Sequence, residues 1–183
     1  LAVLAPTGVA ALNVKGETIH SFFRFKSNIT VEDAHIRGAN LSNTEIYEQL
    51  DTIVIDEISM VRADLLDCID VFLRAVLKNN KDFGGIQMIW VGDLHQLPPV
   101  VTRDDALYFK KAYTSPYFFS SRVVRQESFF IQKIELETIY RQDNKAFIDI
   151  LNAIRHRSLT AAKLAEFNAL TSQTNAPIED AIY

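Results

Sequence analysis

Two adjacent carboxylates, Asp56 and Glu57, follow directly on a short apolar run at residues 52–55. β-Branched residues dominate that run, which predicts a buried strand. In an open parallel sheet, ligands bind at the edge formed by the carboxyl ends of the strands. An Asp-Glu pair at that edge suits nucleoside triphosphate hydrolysis, in which the Asp holds Mg²⁺ and the Glu orients and deprotonates the attacking water. Acids that end a strand also occur as ordinary turn residues.

A second apolar run, 86–91, ends in the polar loop GDLHQLPPV at 92–100. Between the two runs, residues 62–77 predict an amphipathic helix. Its predicted apolar face carries Leu65, Ile69, Phe72, Leu73 and Val76. Strand, acidic loop, helix, strand and polar loop form a βαβ unit with both loops at one edge of the sheet. Gln96 is therefore positioned to sense a γ-phosphate from the strand that neighbours the Asp-Glu pair.

These loops resemble those of a known family. The segment DEIS (56–59), taken with GDLHQLPPV (92–100), resembles motifs two and three of superfamily-one DNA helicases of the PIF/RecD type, which are 5′→3′ ATP-driven translocases. The segment APTGVAALNVKGETIHSFF (5–23) resembles the first DNA-contact motifs, and LETIYRQ (136–142) resembles the fourth motif. The blocks follow the family's order over about residues 1–157. The resemblance implies an α/β fold, a RecA-like (P-loop NTPase-type) parallel sheet flanked by helices.

The resemblance also implies the catalytic residues, which are Asp56, Glu57, Gln96 and Arg141, and the cofactors, which are ATP and Mg²⁺. Asp56, Gln96 and Arg141 would bind the nucleotide, and Asp56 would hold the Mg²⁺ that accompanies it. A guanidinium at position 141 can stabilise the charge of the transferring γ-phosphoryl group. A salt bridge from Arg141 to a helix terminus or to Asp143 is the alternative.

Single-stranded DNA is the implied partner of the first block. By resemblance, Thr7 and Gly8 contact its phosphates through a hydroxyl and a backbone N–H. Thr18, His20 and Phe22 line the same track, where Phe22 or its neighbour stacks on a base. Core packing is the alternative for the aromatic residues, and we expect it for two of the three, which are Phe22, Phe23 and Phe25.

Residues 15–50 contain two departures from a simple pattern. The family usually shows a glycine where Lys15 stands, and the lysine either adds a phosphate contact or faces water. Residues 24–50 lack periodicity and predict a loop with short irregular elements. The family has a small duplex-splitting wedge or pin at this position, and a mobile surface excursion is the alternative. A short helix is expected at 43–50, with inward residues Leu41, Ile46 and Leu50.

The remaining sequence predicts a helix at 103–111, a strand at 129–136, and helices at 144–157 and 160–170. The aromatic group between the first two either packs against the sheet or stacks on bases; it comprises Tyr113, Tyr117, Phe118 and Phe119. We expect residues 1–172 to form a partial first motor domain, with 24–50 as its insertion. Residues 173–183 are expected to be a linker and the start of a second motor domain.

The phosphate-binding pattern G-x-x-x-x-G-K-[ST] has no match in the 183 residues. In the family it lies on a strand and helix just before the position of Leu1, and the second motor domain follows Tyr183. We therefore expect a sheet with an open position between strands 86–91 and 129–136. We also expect this chain alone neither to bind ATP tightly nor to hydrolyse it.

Composition excludes few functions. A net charge of −4 argues weakly against nucleic-acid binding, although a helicase can grip DNA locally with few charges. The single cysteine, Cys68, rules out an internal disulfide, and no apolar run reaches membrane-spanning length. His35, His95 and Asp93 lack the spacing of a metal site.

The sequence therefore predicts part of an ATP-dependent DNA helicase motor that couples hydrolysis to translocation on single-stranded DNA and to unwinding of duplex or forked DNA. The resemblance implies a monomer without membrane contact, located in the nucleoid of a bacterium or in the nucleus or mitochondrion of a eukaryote. It also implies roles in DNA repair, recombination or telomere maintenance. One alternative is a non-catalytic nucleic-acid- or protein-binding module. Another is a magnesium-dependent phosphohydrolase built on Asp56, Glu57 and Asp93.

Overall fold

The centre of the fold is a parallel sheet. A computed structural model of the chain describes residues 1–138, 140 and 144–172. It divides into two compact units, Leu1–Ile131 and Gln132–Tyr183. The first unit contains strands β1 (Ala2–Ala5), β2 (Glu17–Thr18), β3 (Thr52–Ile55) and β4 (Gln87–Trp90). They lie in the order β2-β1-β3-β4, and all three pairings are parallel. This confirms the predicted α/β class.

Helices flank the sheet. In the first unit these are α1 (Gly8–Asn13), α2 (Ile19–Phe22), α3 (Val31–Ala39), α4 (Glu45–Glu48), α5 (Ala63–Leu77) and α6 (Ala106–Ala112). Short 3₁₀ turns occur at Ile58–Met60, Asp82–Gly85 and Phe118–Ser120. The second unit contains α7 (Lys145–Arg155) and α8 (Ala161–Ser172). The helices predicted at 62–77, 103–111, 144–157 and 160–170 are therefore confirmed to within a few residues. Among the residues that the structure describes, every helix is too short or too polar to cross a bilayer.

The prediction that residues 24–50 form an irregular loop is wrong, because α3 lies within them. Thr30 starts this helix: its Oγ1 accepts a hydrogen bond from the Asp33 backbone N at 3.1 Å and donates to the Asp33 carboxylate at 2.7 Å. Ala34 is fully buried, and Gly38 lies so close to the Phe72 carbonyl that a Cβ there would be 2.6 Å from its oxygen. This capping signal is short and polar, which is why hydrophobic periodicity missed the helix. A wedge role for the segment stays a prediction.

Aromatic rings join this segment to α5. Phe23, Phe25 and Tyr47 are buried with Phe72, and the ring centroids of Phe23 and Phe72 lie 5.4 Å apart. Phe22 is only partly buried against this group. Packing was expected for two of the three phenylalanines, and this is confirmed. In α4 the inward residue is Tyr47; the predicted Ile46 is 54% exposed, which corrects its assignment, because the helix turns that side chain outward.

The prediction of a strand at 129–136 is wrong. The segment has no strand hydrogen bonding, although the Phe129 ring stacks on Trp90 with centroids 6.0 Å apart. Alternating apolar residues need a neighbouring strand to complete a ladder, and among the described residues β4 pairs with β3 alone. The fourth strand is β2 instead, which is too short to leave a sequence pattern. Direct pairing of 129–136 with β4 was not expected and is not observed.

Helix α5 also carries buried acids that hold other segments. The Asp67 carboxylate accepts hydrogen bonds from the Tyr113 hydroxyl at 2.8 Å and from the backbone N–H groups of Arg122 and Val123 at 3.1 Å. Burial raises the pKa of Asp67, and these hydrogen bonds act in the opposite direction. Two members of the aromatic group that was expected either to pack or to stack on bases are therefore packed. Tyr113 is buried, and the Phe118 ring lies edge-on to Trp90 with ring centroids 5.5 Å apart.

Two further aspartates of α5 act in the same way. Asp70 accepts from the Arg74 guanidinium at 2.8 Å and from the Phe83 backbone N at 2.7 Å. Asp64 binds the Arg62 guanidinium, with the closest atoms 2.6 Å apart. These acids face the packed side of α5 along with the apolar residues. The predicted apolar face is confirmed with one exception: the predicted Leu65 is only partly buried, while the neighbouring Leu66 is fully buried.

Candidate functional site

Four loops leave the sheet at one edge, because the strands are parallel and each loop follows a carboxyl end. Thr7 and Gly8 follow β1, and His20 follows β2. Asp56 and Glu57 follow β3, and the loop that contains Gln96 follows β4. The structure therefore brings the described candidate residues to one edge of the sheet. Arg141 lies outside the described residues.

The Asp-Glu turn is fixed by its backbone to both neighbouring strands. The backbone N of Asp56 donates to the Leu4 carbonyl at 2.9 Å, and the backbone N of Ile58 donates to the Val91 carbonyl at 3.0 Å. Glu57 adopts φ 51° and ψ 42°, a left-handed conformation that costs a non-glycine residue about 1–2 kcal/mol. Strain of this kind, held in place by surrounding structure, concentrates at functional sites.

Gly92 brings the turns after β3 and β4 into contact. A Cβ at this position would lie 3.0 Å from both the backbone N and the Cγ2 of Ile58, and 3.3 Å from the Ser59 backbone N. The two motifs therefore touch, backbone to side chain and backbone to backbone. Sequence reasoning missed this contact; the signal was a glycine placed directly after a strand. It also missed Ser59, which is fully buried and whose Oγ has no hydrogen-bond partner among the described residues.

The side chains of Asp56 and Glu57 remain chemically uncommitted. Both are partly exposed, and within the described part of the chain neither carboxylate makes a hydrogen bond or an ion pair. Asp93 is different, because its Oδ1 accepts from the His95 backbone N at 2.9 Å and its Oδ2 lies 3.4 Å from the Gln96 side-chain nitrogen. Asp93 thus braces the loop that presents Gln96, and Gln96 itself is exposed.

The donor set fits a nucleotide-bound Mg²⁺ rather than a metal held by protein alone. No group of three or more His, Cys, Asp or Glu that could hold a metal occurs in the part of the chain that the structure describes. Mg²⁺ in nucleotide sites takes one or two carboxylates, and water and phosphate oxygens complete its octahedron. An unpaired Asp56 carboxylate at the ligand edge meets that requirement.

The first DNA-contact candidates cap short helices. The Thr7 Oγ1 accepts from the Ala10 backbone N at 3.2 Å, and the Thr18 Oγ1 accepts from the Ser21 backbone N at 3.1 Å. Each hydroxyl keeps its proton for another acceptor. Apart from its chain neighbours and the backbone of its own helix, nothing in the described part of the chain lies within 4 Å of an ideal Cβ on Gly8, so a ligand can approach the backbone there.

His20 and Phe22, like Thr7 and Thr18, are partly buried members of the same track. Burial, followed by the positive charge of Arg62, lowers the pKa of His20. The Phe22 ring packs edge-on against Phe23 at 5.0 Å and against Tyr47 at 5.6 Å, which leaves only part of it for a base. Lys15 is exposed and has φ 54°, so the glycine usual in the family matches a left-handed backbone position.

Comparisons with known proteins agree with this arrangement. A family model described as PIF1-like helicase matches residues 1–164. The chain belongs to the PIF1-like helicase family. It is 34% identical over 163 residues to the ATP-dependent DNA helicase RRM3 of Saccharomyces cerevisiae, which covers 87% of this chain and 21% of that protein. It is 36% identical over 152 residues to human ATP-dependent DNA helicase PIF1, which covers 82% and 22% respectively. The chain thus spans about a fifth of these relatives.

Solved structures show the same fold. A Bacteroides Pif1 helicase in complex with ADP-AlF₃ and single-stranded DNA superposes with a TM-score of 0.83 and 37% identity. The match covers 98% of this chain and 41% of that one. Candida albicans Pif1 helicase gives a TM-score of 0.73 and 33% identity over 91% of this chain and 36% of the other. The RecA-like sheet predicted from the sequence is therefore confirmed.

Proposed function

We propose that this chain is part of the first motor domain of an ATP-dependent DNA helicase, which couples ATP hydrolysis to movement along single-stranded DNA and to unwinding of duplex or forked DNA. The observation that carries the proposal is the turn after β3, where two unpaired carboxylates lie on a strained backbone that Gly92 contacts from the neighbouring strand. Relatives named as ATP-dependent DNA helicases, and a relative in complex with ADP-AlF₃ and single-stranded DNA, support the assignment.

The proposed roles follow from the chemistry of the side chains. Bound Mg²⁺ would neutralise phosphate charge on the nucleotide. Asp56 supplies a carboxylate ligand, and Glu57 orients the attacking water and accepts its proton. Gln96, on the neighbouring loop, senses the γ-phosphate and couples the nucleotide state to DNA, and Arg141 stabilises charge on the transferring group.

DNA is proposed to run over the loops after β1 and β2. Thr7 donates its hydroxyl proton to a phosphate, and the open backbone at Gly8 adds an N–H. Thr18 and His20 continue the track, and the exposed part of Phe22 contacts a base. The motor is proposed to work as a monomer, in the nucleoid of a bacterium or the nucleus or mitochondrion of a eukaryote.

Glu57→Gln in the intact protein tests the hydrolytic role. The amide keeps the shape of the side chain and removes the base, so DNA-stimulated ATP turnover should fall by about 10²–10⁴-fold, while nucleotide affinity stays near wild type. Steady-state turnover and nucleotide titration measure the two quantities. Turnover at the wild-type level would remove Glu57 from the mechanism and favour a non-catalytic binding module.

Thr7→Ala combined with His20→Ala tests the DNA track. The double variant should bind single-stranded DNA more weakly, because two hydrogen-bonding contacts to the DNA are lost. At about pH 7.5 the dependence of log affinity on log salt should stay near that of the wild type, since neither a hydroxyl nor an uncharged imidazole neutralises a phosphate. Fluorescence anisotropy at several salt concentrations gives the slope. Leu12→Ala, at an exposed position of α1, is the matched control. An unchanged affinity for single-stranded DNA in the double variant would mean that these residues only cap and pack.

A further inference from the structure

A cavity of about 530 Å³ lies between the end of α6 and the segment that follows it. Four basic side chains line it: Lys110, Lys111, Arg122 and Arg125. Hydroxyls of Thr114 and Ser120 complete the polar lining. Among the residues that the structure describes, no acidic one lines the cavity, and the sequence contains none between Asp105 and Glu127. In a chain of net charge −4, this is a local reversal of sign.

The wall of the cavity is held from inside by α5. Asp67 fixes the Tyr113 hydroxyl and the backbone of Arg122, and it is itself 3% exposed. The Arg122 guanidinium lies 5.7 Å from the centroid of the Tyr113 ring. Arg122 is therefore positioned before any ligand arrives, which reduces the entropy lost on binding.

The other basic side chains of the cavity have more hydrogen-bond donors than the described residues around them accept. Among the described residues, the Arg125 guanidinium donates one hydrogen bond, to the Thr114 hydroxyl at 3.0 Å, although a guanidinium has five N–H groups. Within the described part of the chain, the Lys110 and Lys111 ammonium groups make no hydrogen bond or ion pair. Both lysines are in the last turn of α6, where cations favour the helix dipole. That effect accounts for the lysines but not for two arginines from another segment.

Helix α6 connects the cavity to Arg62, whose charge reaches His20 of the proposed DNA track. Arg62, whose charge contributes to the lowered pKa of His20, binds Asp105 at 2.7 Å and lies 4.8 Å from the centroid of the Phe109 ring. α6 runs from that contact to the cavity over seven residues, which is about 10 Å. A nucleic-acid strand advances roughly 3.4 Å per nucleotide, so a backbone that leaves the track spans this distance in a few nucleotides.

We propose that this cavity binds a backbone phosphate of DNA that lies outside the single-strand track. The chemistry is that of a phosphodiester, because the lining provides cations and hydroxyl or guanidinium donors without a competing carboxylate. The phosphate comes either from the strand as it continues beyond the track or from the duplex arm of a fork. The inference rests on the proposed DNA motor function.

Lys110→Gln combined with Lys111→Gln in the intact protein tests the site. Both lysines are exposed, so the variant should keep its melting temperature. Lys78→Gln with Lys81→Gln removes the same charge near the amino-terminal edge of the sheet and is the control. Affinity is measured over a salt series for a single strand that fills only the track, a longer single strand, and a fork.

Loss of two phosphate contacts should reduce the salt slope by about 1–2 for a longer substrate and leave the short strand unchanged. A loss seen only with the fork identifies the duplex arm as the source, and a loss with the long strand identifies the continuing strand; either result supports the site. Equal losses in both lysine pairs, or no loss with any DNA, would overturn it. An intact protein that binds no DNA would overturn the proposed function as well, whereas normal binding by the lysine variant overturns the cavity site alone.

Discussion

Asp56 and Asp67 are the same residue type in consecutive elements of one βαβ unit, yet their surroundings are opposite. Asp56 is partly exposed at the ligand edge and makes no hydrogen bond or ion pair through its carboxylate within the described residues. Asp67 is buried in α5 and accepts three hydrogen bonds from the segment 113–123. An acid whose oxygens already accept three hydrogen bonds from the protein is not free to hold a metal or to orient a water, and an acid left open adds little to stability. The βαβ unit thus has its open carboxylate, Asp56, at the ligand edge and its stabilising carboxylate, Asp67, in α5.

The largest difference between the two regions should appear in stability. Asp67→Ala leaves the Tyr113 hydroxyl and two backbone N–H groups without their acceptor, so we expect a loss of about 3–5 kcal/mol in the free energy of unfolding. Asp56→Asn should change that free energy by less than about 0.5 kcal/mol. Urea unfolding of the two variants, beside wild type, measures both values. Similar losses of unfolding free energy in the two variants would show that the two aspartates do not have these different roles.

Gly92→Ala should lower both the stability and the ATP turnover, by intermediate amounts. The new methyl group would lie 3.0 Å from Ile58, so the turn that carries Glu57 must move by a few tenths of an ångström. We expect a stability loss of about 1 kcal/mol and a fall in ATP turnover of roughly tenfold, because small displacements of catalytic groups reduce rates strongly. Gly8→Ala, at an open position, is the control for stability. Normal turnover in Gly92→Ala would mean that this contact does not hold the catalytic geometry.

The same contrast explains what the sequence could predict. The three core strands and the long helix α5 follow from apolar runs and periodicity, because burial imposes those patterns directly. Asp56, Glu57 and Gln96 could be placed at the ligand edge because they follow predicted strands, whereas Thr18 and His20 were assigned by the family resemblance alone. The roles of Asp67 and Asp70 were not predictable, since each accepts a hydrogen bond from a backbone N–H group far away in the chain, that of Val123 and that of Phe83 respectively.

Local sequence patterns wrongly predicted a strand at 129–136 and missed β2, for different reasons. The strand expected at 129–136 has the right alternation, but pairing depends on a neighbour, which a local pattern does not contain. β2 is two residues long and is recognisable only by its parallel pairing with β1, where Leu4 faces Glu17 and Ala5 faces Thr18. Glu57's left-handed backbone likewise follows from the contacts on both sides of its turn.

The smallest expected effect concerns His20, which lies at the ligand edge. The charge that acts on it comes from Arg62, which is ion-paired with Asp64 of α5 and with Asp105. Burial and Arg62 lower the pKa of His20 below the usual value of 6.5. As pH falls below 6.5 the unfolded state takes up the proton first, so stability should decline until the lowered folded pKa is passed. A DNA phosphate favours the charged ring, so DNA affinity should rise over the same range. His20→Gln should remove both trends, while His35→Gln, at an exposed position of α3, should keep them. Unfolding and anisotropy titrations between about pH 7.5 and 5 provide the measurements, and trends that persist in His20→Gln would assign them to another group.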